Sequence, residues 1–503
     1  MNFKIKKISR KKLKKKSAAK EKPLKKKKYI HVNIGFLGSI ILIILLSIGI
    51  VKSFSNIDYR VIIDIVSSDI KTDGYKHTNI LVLGTGGKEH EGSDLTDTIL
   101  LASIDNNNKL VTMISIPRDT WVKDEIIGNS KINEMYFNAK NYYEDSEKGL
   151  EHMKGKVENL MGIPIHYYIK INFNGFKDLV NTIGGIDVMV EEKIYDPYFP
   201  KDGTFEYEAF YIESGLQHLD GETALKYARS RKTTSDFDRA NRQQQIIYAI
   251  KEKTLQTNVI FSKSKIEDIL DTLKDNIDTN ITAKELLTLG TMASDYQSNQ
   301  INHRLIHDDP TQCGGFVYSP SREFYNNQFV LIPAGGYESI HQYADLNLNT
   351  PQIAQENSKI HILNGTSVVG VAGETKQVLK RFCFDIIRYG NAKNLQTTET
   401  IYYYNKENGR PEALNFLQKV IPGKESTLIP EEYINLGYNL KADVILEIGL
   451  DYVNSPDYME DAFYDIPGIY FPIETPSAIS ADSSSSLSSD LETESPNIIS
   501  DED

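Results

Sequence analysis

The stretch "TDTILLASIDNNNKLVTMISIPRDT", Thr96 to Thr120, decides how the chain folds. Two apolar runs, "TILLASI" and "KLVTMISI", flank the asparagine triplet Asn106 to Asn108, which is a turn signal. The pattern predicts a β-hairpin of buried strands. Its second strand stops at Pro117, and Arg118 and Asp119 then stand side by side at the mouth of that strand. A cation in that place calls for a chemical reason.

Working outward, "TNILVLGTGG", Thr78 to Gly87, reads as a strand that ends in a glycine turn. Downstream, "HYYIKINF" and "IDVMV" supply further strands, with helical stretches over 138–161 and 176–183 and a last strand in "QFVLIPAGG", Gln328 to Gly336. Strands mixed with helices predict a layered α/β, or mixed α+β, domain over 76–345. A linker, 346–357, leads to a second α/β unit over 358–452. That unit alternates strand "KIHILNG", helix "ETKQVLKRF", strands "FDIIRYG" and "ETIYYYN", helix "RPEALNFLQKV" and strand "ADVILEIG".

The 503 residues are too many for one ordinary domain, and their charge is uneven. Residues 1–29 hold 15 Lys or Arg and one acid, whereas the rest of the chain has a net charge of −26. The basic block runs into an apolar stretch, 30–51, that contains no Asp, Glu, Lys or Arg. As a helix it would span roughly 33 Å, enough for a bilayer core. The block therefore reads as a cytoplasmic anchor, with 52–75 a juxtamembrane stalk and everything beyond it extracytoplasmic. Nucleic acid is excluded as the partner, since the acidic remainder would be repelled by phosphates. Over 453–503 the chain is acidic and then Ser-rich, with eight acids and no base from Glu474 onward. Such a tail cannot bury enough apolar surface to order itself. Cys313 and Cys383 fall in separate predicted domains without a CxxC or a nearby His. The sequence therefore predicts no disulfide framework, metal site or catalytic thiol there.

Charge concentrates in a second stretch, "HLDGETALKYARSRKTTSDFDRANRQQQ", His218 to Gln245. Arg229 and Arg231, two apart on what reads as a short strand, share a side with Tyr227. In the helix that follows, Asp236, Arg239 and Gln243 share a face, and Arg242 points elsewhere, to solvent. Each arginine alone reads as a surface ion-pair partner. Together, arginines that converge without matching acids need an anion, and the guanidinium fork suits phosphate oxygens. Asp97 and Asp119, at strand ends, suit a hard cation such as Mg²⁺, which takes one or two carboxylates plus substrate phosphates. Arg118 completes the clamp. "LGTGGKEHEG", Leu83 to Gly92, is no P-loop, since Glu89 follows Lys88 and the glycine spacing is absent.

"TDTILLASI", "SIPRDTW" with "KINEMY", "LVNTIGGIDV" and the arginine block together resemble the LytR-CpsA-Psr family over about 78–343, and the segment from "IHILNG" to "ADVILEIG" resembles its LytR C-terminal domain. The resemblance implies a central mixed β-sheet flanked by helices. It also implies a membrane-anchored phosphotransferase that moves a glycopolymer from a polyprenyl-pyrophosphate carrier to peptidoglycan as a phosphodiester, with Mg²⁺ at the pyrophosphate and the lipid tail in an apolar pocket. By motif, Asp97, Arg118 and Asp119 are catalytic, and Arg118, Arg229, Arg231, Arg239 and Gln243 bind the pyrophosphate. Two departures stand out: Gly86 replaces a common Asp and Leu95 a common Arg. Asp94 is then the substitute second metal carboxylate beside Asp97. Asp119 either orients a clamp arginine or acts on the acceptor hydroxyl. The rival functions are a hydrolase acting on the same pyrophosphate and a non-catalytic, lipid-polymer-binding regulator of wall assembly.

Overall fold

The structure is a computed structural model that describes residues 70–87, 93–201, 206–230, 236–256, 275–282, 285, 288, 289, 292, 300–435, 442–455, 458, 461–463 and 466; within 236–256, side chains are described at 241–250, 252 and 253. Among these residues no helix is long and apolar enough to cross a membrane. The stretch 30–51, the basic block and the tail beyond 466 lie outside them.

The predicted hairpin is present. Strands β1 (His77–Thr85), β2 (Thr96–Asp105) and β3 (Leu110–Ser115) are antiparallel neighbours, with Leu81 opposite Leu101 and Leu101 opposite Ile114. Asp105 closes the turn, its Oδ1 accepting from the amides of Asn107 at 2.8 Å and Asn108 at 3.0 Å. Helices α1 (Ile132–Tyr143) and α2 (Ser146–Met161) replace the single predicted helix. The break has a local cause: Glu144 adopts the left-handed conformation and Asp145 caps α2 by accepting from the amides of Glu147 and Lys148.

Next come β4 (Tyr167–Asn172), α3 (Phe173–Thr182), β5 (Ile186–Val190), β6 (Ile194–Pro200), β7 (Tyr207–Ile212) and β8 (Gly215–Leu219). They are followed by α4 (Gly221–Arg229), α5 (Asp236–Gln256), β9 (Ile277–Thr279) and β10 (Ile301–Leu305). The main sheet has the order β9-β4-β1-β2-β3-β10, with β1 to β4 and β3 to β10 parallel and the other pairs antiparallel. It is the mixed sheet that the resemblance implied. Alternation along β1 sends Leu81 and Leu83 to one face, under Met135, Tyr136, Met153 and Val157 of α1 and α2. Ile80 faces the opposite side, under Leu179 of α3, Tyr227 of α4 and Ile246 of α5. Each fully buried aliphatic side chain in these layers contributes about 1.5–3 kcal/mol.

The strand expected over 328–336 is reduced to Ile332–Pro333, which pairs with Val317–Tyr318. Strand β10, which the sequence reading did not identify, takes the place beside β3 instead. Beyond it, α6 (Glu338–Ala344) and α7 (Pro351–Glu356) lead into the second sheet. Residues read as linker are helical here, and Leu346, Leu348 and Ile353 are buried. Strands β11 (Lys359–Asn364), β12 (Asp385–Asn391), β13 (Ile401–Tyr403), β14 (Lys424–Ser426) and β15 (Val444–Ile448) form a sheet in the order β12-β11-β15-β13-β14, packed by helices 371–381 and 413–420.

The two sheets share one apolar cluster. Phe316 joins them, with its ring 5.0 Å from Tyr343 and 5.1 Å from Phe382. Cys313 and Cys383 are bonded across this junction, contrary to the sequence reading, which saw no partner for either. The reason is tertiary: the loop after β10 lies against the end of the 371–381 helix, where the Gly314 amide donates to Arg381 O at 2.8 Å and Arg381 Nε donates to Pro310 O at 2.7 Å. A Cβ at Gly314 would meet Leu305 O at 1.8 Å, so only glycine allows that approach.

Two predictions follow from this packing. Replacing both cysteines by serine opens a loop of 70 residues. Chain entropy then predicts a loss of about 4 kcal/mol, read as a lower urea midpoint that reductant reproduces in the native chain. Asp105 is buried: desolvation pushes its carboxyl up, but hydrogen bonds from His77 and Asn108 outweigh it and hold the pKa at about 2 against an ordinary 3.8. Its folded pKa is depressed, so the stabilisation, about 2 kcal/mol, is present above pH 3.8 and is lost as pH falls towards 2. Asp105→Asn is expected to flatten the acid limb of stability in that window, as measured by denaturant titration.

Candidate active site

Because β1, β4, β3 and β10 run in one direction, their carboxyl ends lie at one edge of the main sheet, together with the start of antiparallel β2. In open α/β sheets, such an edge is where ligands bind. Here it carries Asp97 on β2, the "PRDT" turn after β3, and His307 and Asp308 after β10.

The "PRDT" turn is firmly held. Ile116 makes the last ladder contact, its amide donating to Ile99 O at 2.9 Å, and Pro117 has no amide with which to continue. Thr120 Oγ1 donates to Pro117 O at 2.7 Å, the Asn133 amide donates to Arg118 O at 3.2 Å, and the Leu331 amide donates to Asp119 O at 2.9 Å. On this base Arg118 Nη1 donates to Asp97 Oδ1 at 2.7 Å, and Arg118 Nε lies 3.5 Å from Asp119 Oδ2. Lys131 donates to Asp119 Oδ1 at 2.7 Å. The guanidinium is thus oriented by carboxylates at two of its edges, in a row of alternating charge. Asp97 is the most exposed of the four side chains, at 40 % against 16 % for Asp119.

Asp97, Arg118, Asp119 and Gln243 line one cleft, so α5 delivers its glutamine to the same place as the β2 and β3 ends. The remaining wall includes Ile99, Ile116, Leu331 and Phe329 on the apolar side, and His307 and Asp308 on the polar side. The last two were missed in the sequence. Only the parallel pairing of β10 with β3 reveals that "HRLIHDD" ends at this edge.

The arginine block differs from expectation in two ways. Arg229 ends a helix, not a strand: Asp220 caps α4 by accepting from the Thr223 amide, and Ala224, Leu225, Tyr227 and Ala228 bury its inner face. A Cβ at Gly221 would lie 2.2 Å from Lys177 O, so glycine lets α4 close onto α3. Arg242, expected at the solvent, is 5 % exposed; it donates to Tyr227 O at 3.0 Å and also to Ser230 O, taking up carbonyls at the end of α4. Tyr227 OH donates to Gln245 Oε1 at 2.7 Å, and burial pushes its pKa up to about 12. Arg229 itself lies over the rings of Phe173, at 4.3 Å, and Phe199, at 5.3 Å. It is not among the described residues lining the Asp97 cleft. Its platform Phe173 directly follows Asn172, which pairs with Thr85, itself paired with Thr96. That places the backbones of Asn172 and Thr96 about 10 Å apart along one edge. Arg231 lies outside the described residues, as does the side chain of Arg239.

A family model, that of the LytR_cpsA_psr family, matches residues 51–328. The chain belongs to the LytR_cpsA_psr family. A second model, described as LytR cell envelope-related transcriptional attenuator, matches residues 357–452. Among relatives, the chain is 36 % identical to the polyisoprenyl-teichoic acid–peptidoglycan teichoic acid transferase TagV of Bacillus subtilis over 212 residues, 41 % of this chain and 50 % of that protein. It is 30 % identical to the corresponding transferase TagU of Bacillus licheniformis over 258 residues, 51 % of this chain and 76 % of that protein. The chain thus spans half the length of that TagV relative. The crystal structure of B. subtilis TagV aligns at 30 % identity over 55 % of this chain and 99 % of its own, with a TM-score of 0.42.

In this LytR-CpsA-Psr chain the carboxylates differ in their fitness for a cation. Asp97 opens onto the cleft. Asp94 is taken by Lys140, whose ammonium lies 2.7 Å from its Oδ2. No group of three potential metal-ligating side chains is found among the described residues. Asp97, although bonded to Arg118, is more open to the cleft than Asp119, and Asp308 lines the same cleft; a hard cation held by either would rely on substrate oxygens for its other bonds.

Arg242 is expected to be the brace of the arginine block. Arg242→Met keeps the apolar stem but leaves the Tyr227 and Ser230 carbonyls without these donors, at a cost of about 3 kcal/mol in denaturant unfolding. A loss below 1 kcal/mol would show that the end of α4 holds without it.

Proposed function

We propose that this chain is a membrane-anchored phosphotransferase that moves a glycopolymer from a polyprenyl-pyrophosphate carrier to peptidoglycan, forming a phosphodiester, with Mg²⁺ as cofactor. The observation that carries this reading is the gathering of Asp97, Arg118, Asp119 and Gln243 in one cleft at the carboxyl edge of the sheet. It occurs in a family whose relatives bear teichoic acid transferase names.

Phosphoryl transfer asks the protein for position and fixed charge more than for covalent chemistry. Arg118 supplies that charge from a guanidinium already oriented by Asp97 and Asp119. Asp119, engaged by both Arg118 and Lys131, acts as the residue that orients the arginine, in preference to taking the acceptor's proton. Arg229, Arg231 and Arg239 neutralise the rest of the diphosphate, and Gln243 donates to it. The apolar wall of Ile99, Ile116 and Leu331 suits the first isoprene units of the carrier. Asp97 would hold the Mg²⁺, and Asp94 would join it only where Lys140 gives way. When bound, the cation would add positive charge at the diphosphate. The stretch 30–51 keeps this site at the outer face of the membrane, where a lipid-linked donor would present its headgroup.

The test combines the full chain with a lipid-diphosphate-linked oligosaccharide, peptidoglycan and Mg²⁺. Polymer covalently attached to the wall is the expected product, and Arg118→Ala is expected to lower its formation about 10²- to 10³-fold. Chelation of Mg²⁺ with EDTA is expected to stop it. Polymer phosphate released into solution with no gain by the wall would identify a hydrolase, and tight donor binding without turnover a regulator.

A further inference from the structure

The loop that leaves β10 forms one wall of the cleft, and it is also where the second sheet is fastened. His307 and Asp308 line the cleft together with Asp97, Arg118 and Asp119. His307 is stitched to the far end of its own loop. Its amide donates to Gly314 O at 3.0 Å, its carbonyl accepts from the Val317 amide at 3.3 Å, and its Nε2 donates to Cys313 O at 2.8 Å. The Asp309 amide donates to His307 Nδ1 at 3.1 Å, so the ring moves with the loop. Cys313 is thus the backbone partner of a cleft residue and also one end of the bond to Cys383. The same loop meets Arg381, itself paired with the buried Asp461, through Pro310 O and the Gly314 amide. The other end of the bond stands where a side chain is disfavoured. The Cys383 amide donates to Lys380 O at 2.9 Å and the Phe384 amide to Leu379 O at 3.2 Å, the paired bonds of a Schellman turn at the end of the 371–381 helix. Cys383 there has φ 72°, a conformation that glycine adopts without steric cost and a β-carbon does not. The bond to Cys313 gives a cysteine in that place its reason.

We propose that the Cys313–Cys383 bond is a redox-operated latch that sets the His307–Asp308 wall of the cleft for catalysis; the inference rests on the transferase reading above. Cys383 is half-buried and lines a pocket with Arg304 and the exposed Asp385, so a small thiol reaches the bond from solvent. A dithiol reductant supplies the two electrons. Its first thiolate attacks Cys383 Sγ, a mixed disulfide forms and Cys313 leaves as a thiolate. The reductant's second thiolate then attacks the first sulfur, which closes the oxidised reductant and releases Cys383 as a thiolate. The two protons lost by the reductant end on the two cysteines. Without the bond, the loop keeps its hydrogen bonds to Arg381 but loses its covalent tie, and the His307–Cys313 contact loses its fixed point. Transfer needs its reacting groups held to within about 1 Å, so drift of this wall slows the chemical step. Arg118 and Arg229 stand on other elements, so the grip on the diphosphate is retained.

The chain has two cysteines, both in this bond, so a thiol reductant has one target. The test assays the full chain oxidised, reduced with dithiothreitol and reoxidised with oxidised glutathione, at a temperature where all three forms are folded. Reduction is expected to lower kcat for transfer about tenfold to 10²-fold and to keep KM for the lipid-linked donor within about threefold, with reoxidation restoring the rate. Amide hydrogen exchange is expected to quicken over 307–314 and to stay unchanged in β1 and β2. Cys313→Ser combined with Cys383→Gly, which suits the left-handed helix end, is expected to show the reduced chain's rate and no response to reductant. A transfer rate unchanged by full reduction, with two titratable thiols present, overturns the proposal and leaves the transferase reading in place. Exchange that quickens throughout the main sheet makes the bond a staple of global stability and also overturns it. Quickened exchange confined to 307–314 in a chain that shows no transfer when oxidised upholds the latch on this wall and removes the transferase reading instead.

Discussion

Parallel pairing of β1 with β4 and of β3 with β10 is the constraint on which the rest depends. Parallel neighbours need crossovers, and these crossovers are the helices that roof both faces of the sheet. The same geometry sends the loops after all four strands to one edge. Without it, Asp97, the "PRDT" turn and the His307–Asp308 loop would be unrelated surface features. With it, residues separated by more than a hundred positions share a cleft with Gln243.

Electrostatics at that edge is more balanced than the sequence suggested. The expectation was a set of arginines short of acids, held together only by a ligand. In the folded chain Arg118 has carboxylates on two sides, and Lys131 offsets the second of them. Such partly exposed pairs add little stability. Their value is orientation: the guanidinium plane is set before any anion arrives. Arg229 also lies over aromatic faces, those of Phe173 and Phe199, which help to fix its position.

The C-terminal sheet is not a loosely tethered appendage among the described residues. One apolar cluster runs from Leu81 to Leu446, and the Cys313–Cys383 bond with the Arg381 contacts ties the second sheet to the loop that leaves β10. That loop begins with His307 and Asp308, so the second sheet braces one wall of the cleft. The β6–β7 ribbon packs against the end of α4 through Asp196, which accepts from Ser230, and Phe199, which lies under Arg229.

By itself, the sequence determined the local elements. The hairpin of Thr96 to Ser115, strand β1, the α/β alternation of the C-terminal unit and the pairing of Arg118 with Asp119 at a strand end were all legible, because apolar runs, turn residues and proline act over a few positions. The Asp145 cap and the Asp220 cap were equally local signals, and the readings that overlooked them produced one helix in place of two and a strand in place of α4. Only the tertiary structure decided what lies next to what. The place of β10 in the sheet, the burial of Arg242 under α4 and the Cys313–Cys383 bond each depend on partners far away in sequence. Hydrophobic periodicity states that a face is buried but not against which element, and contact between distant segments is settled only when the whole core closes.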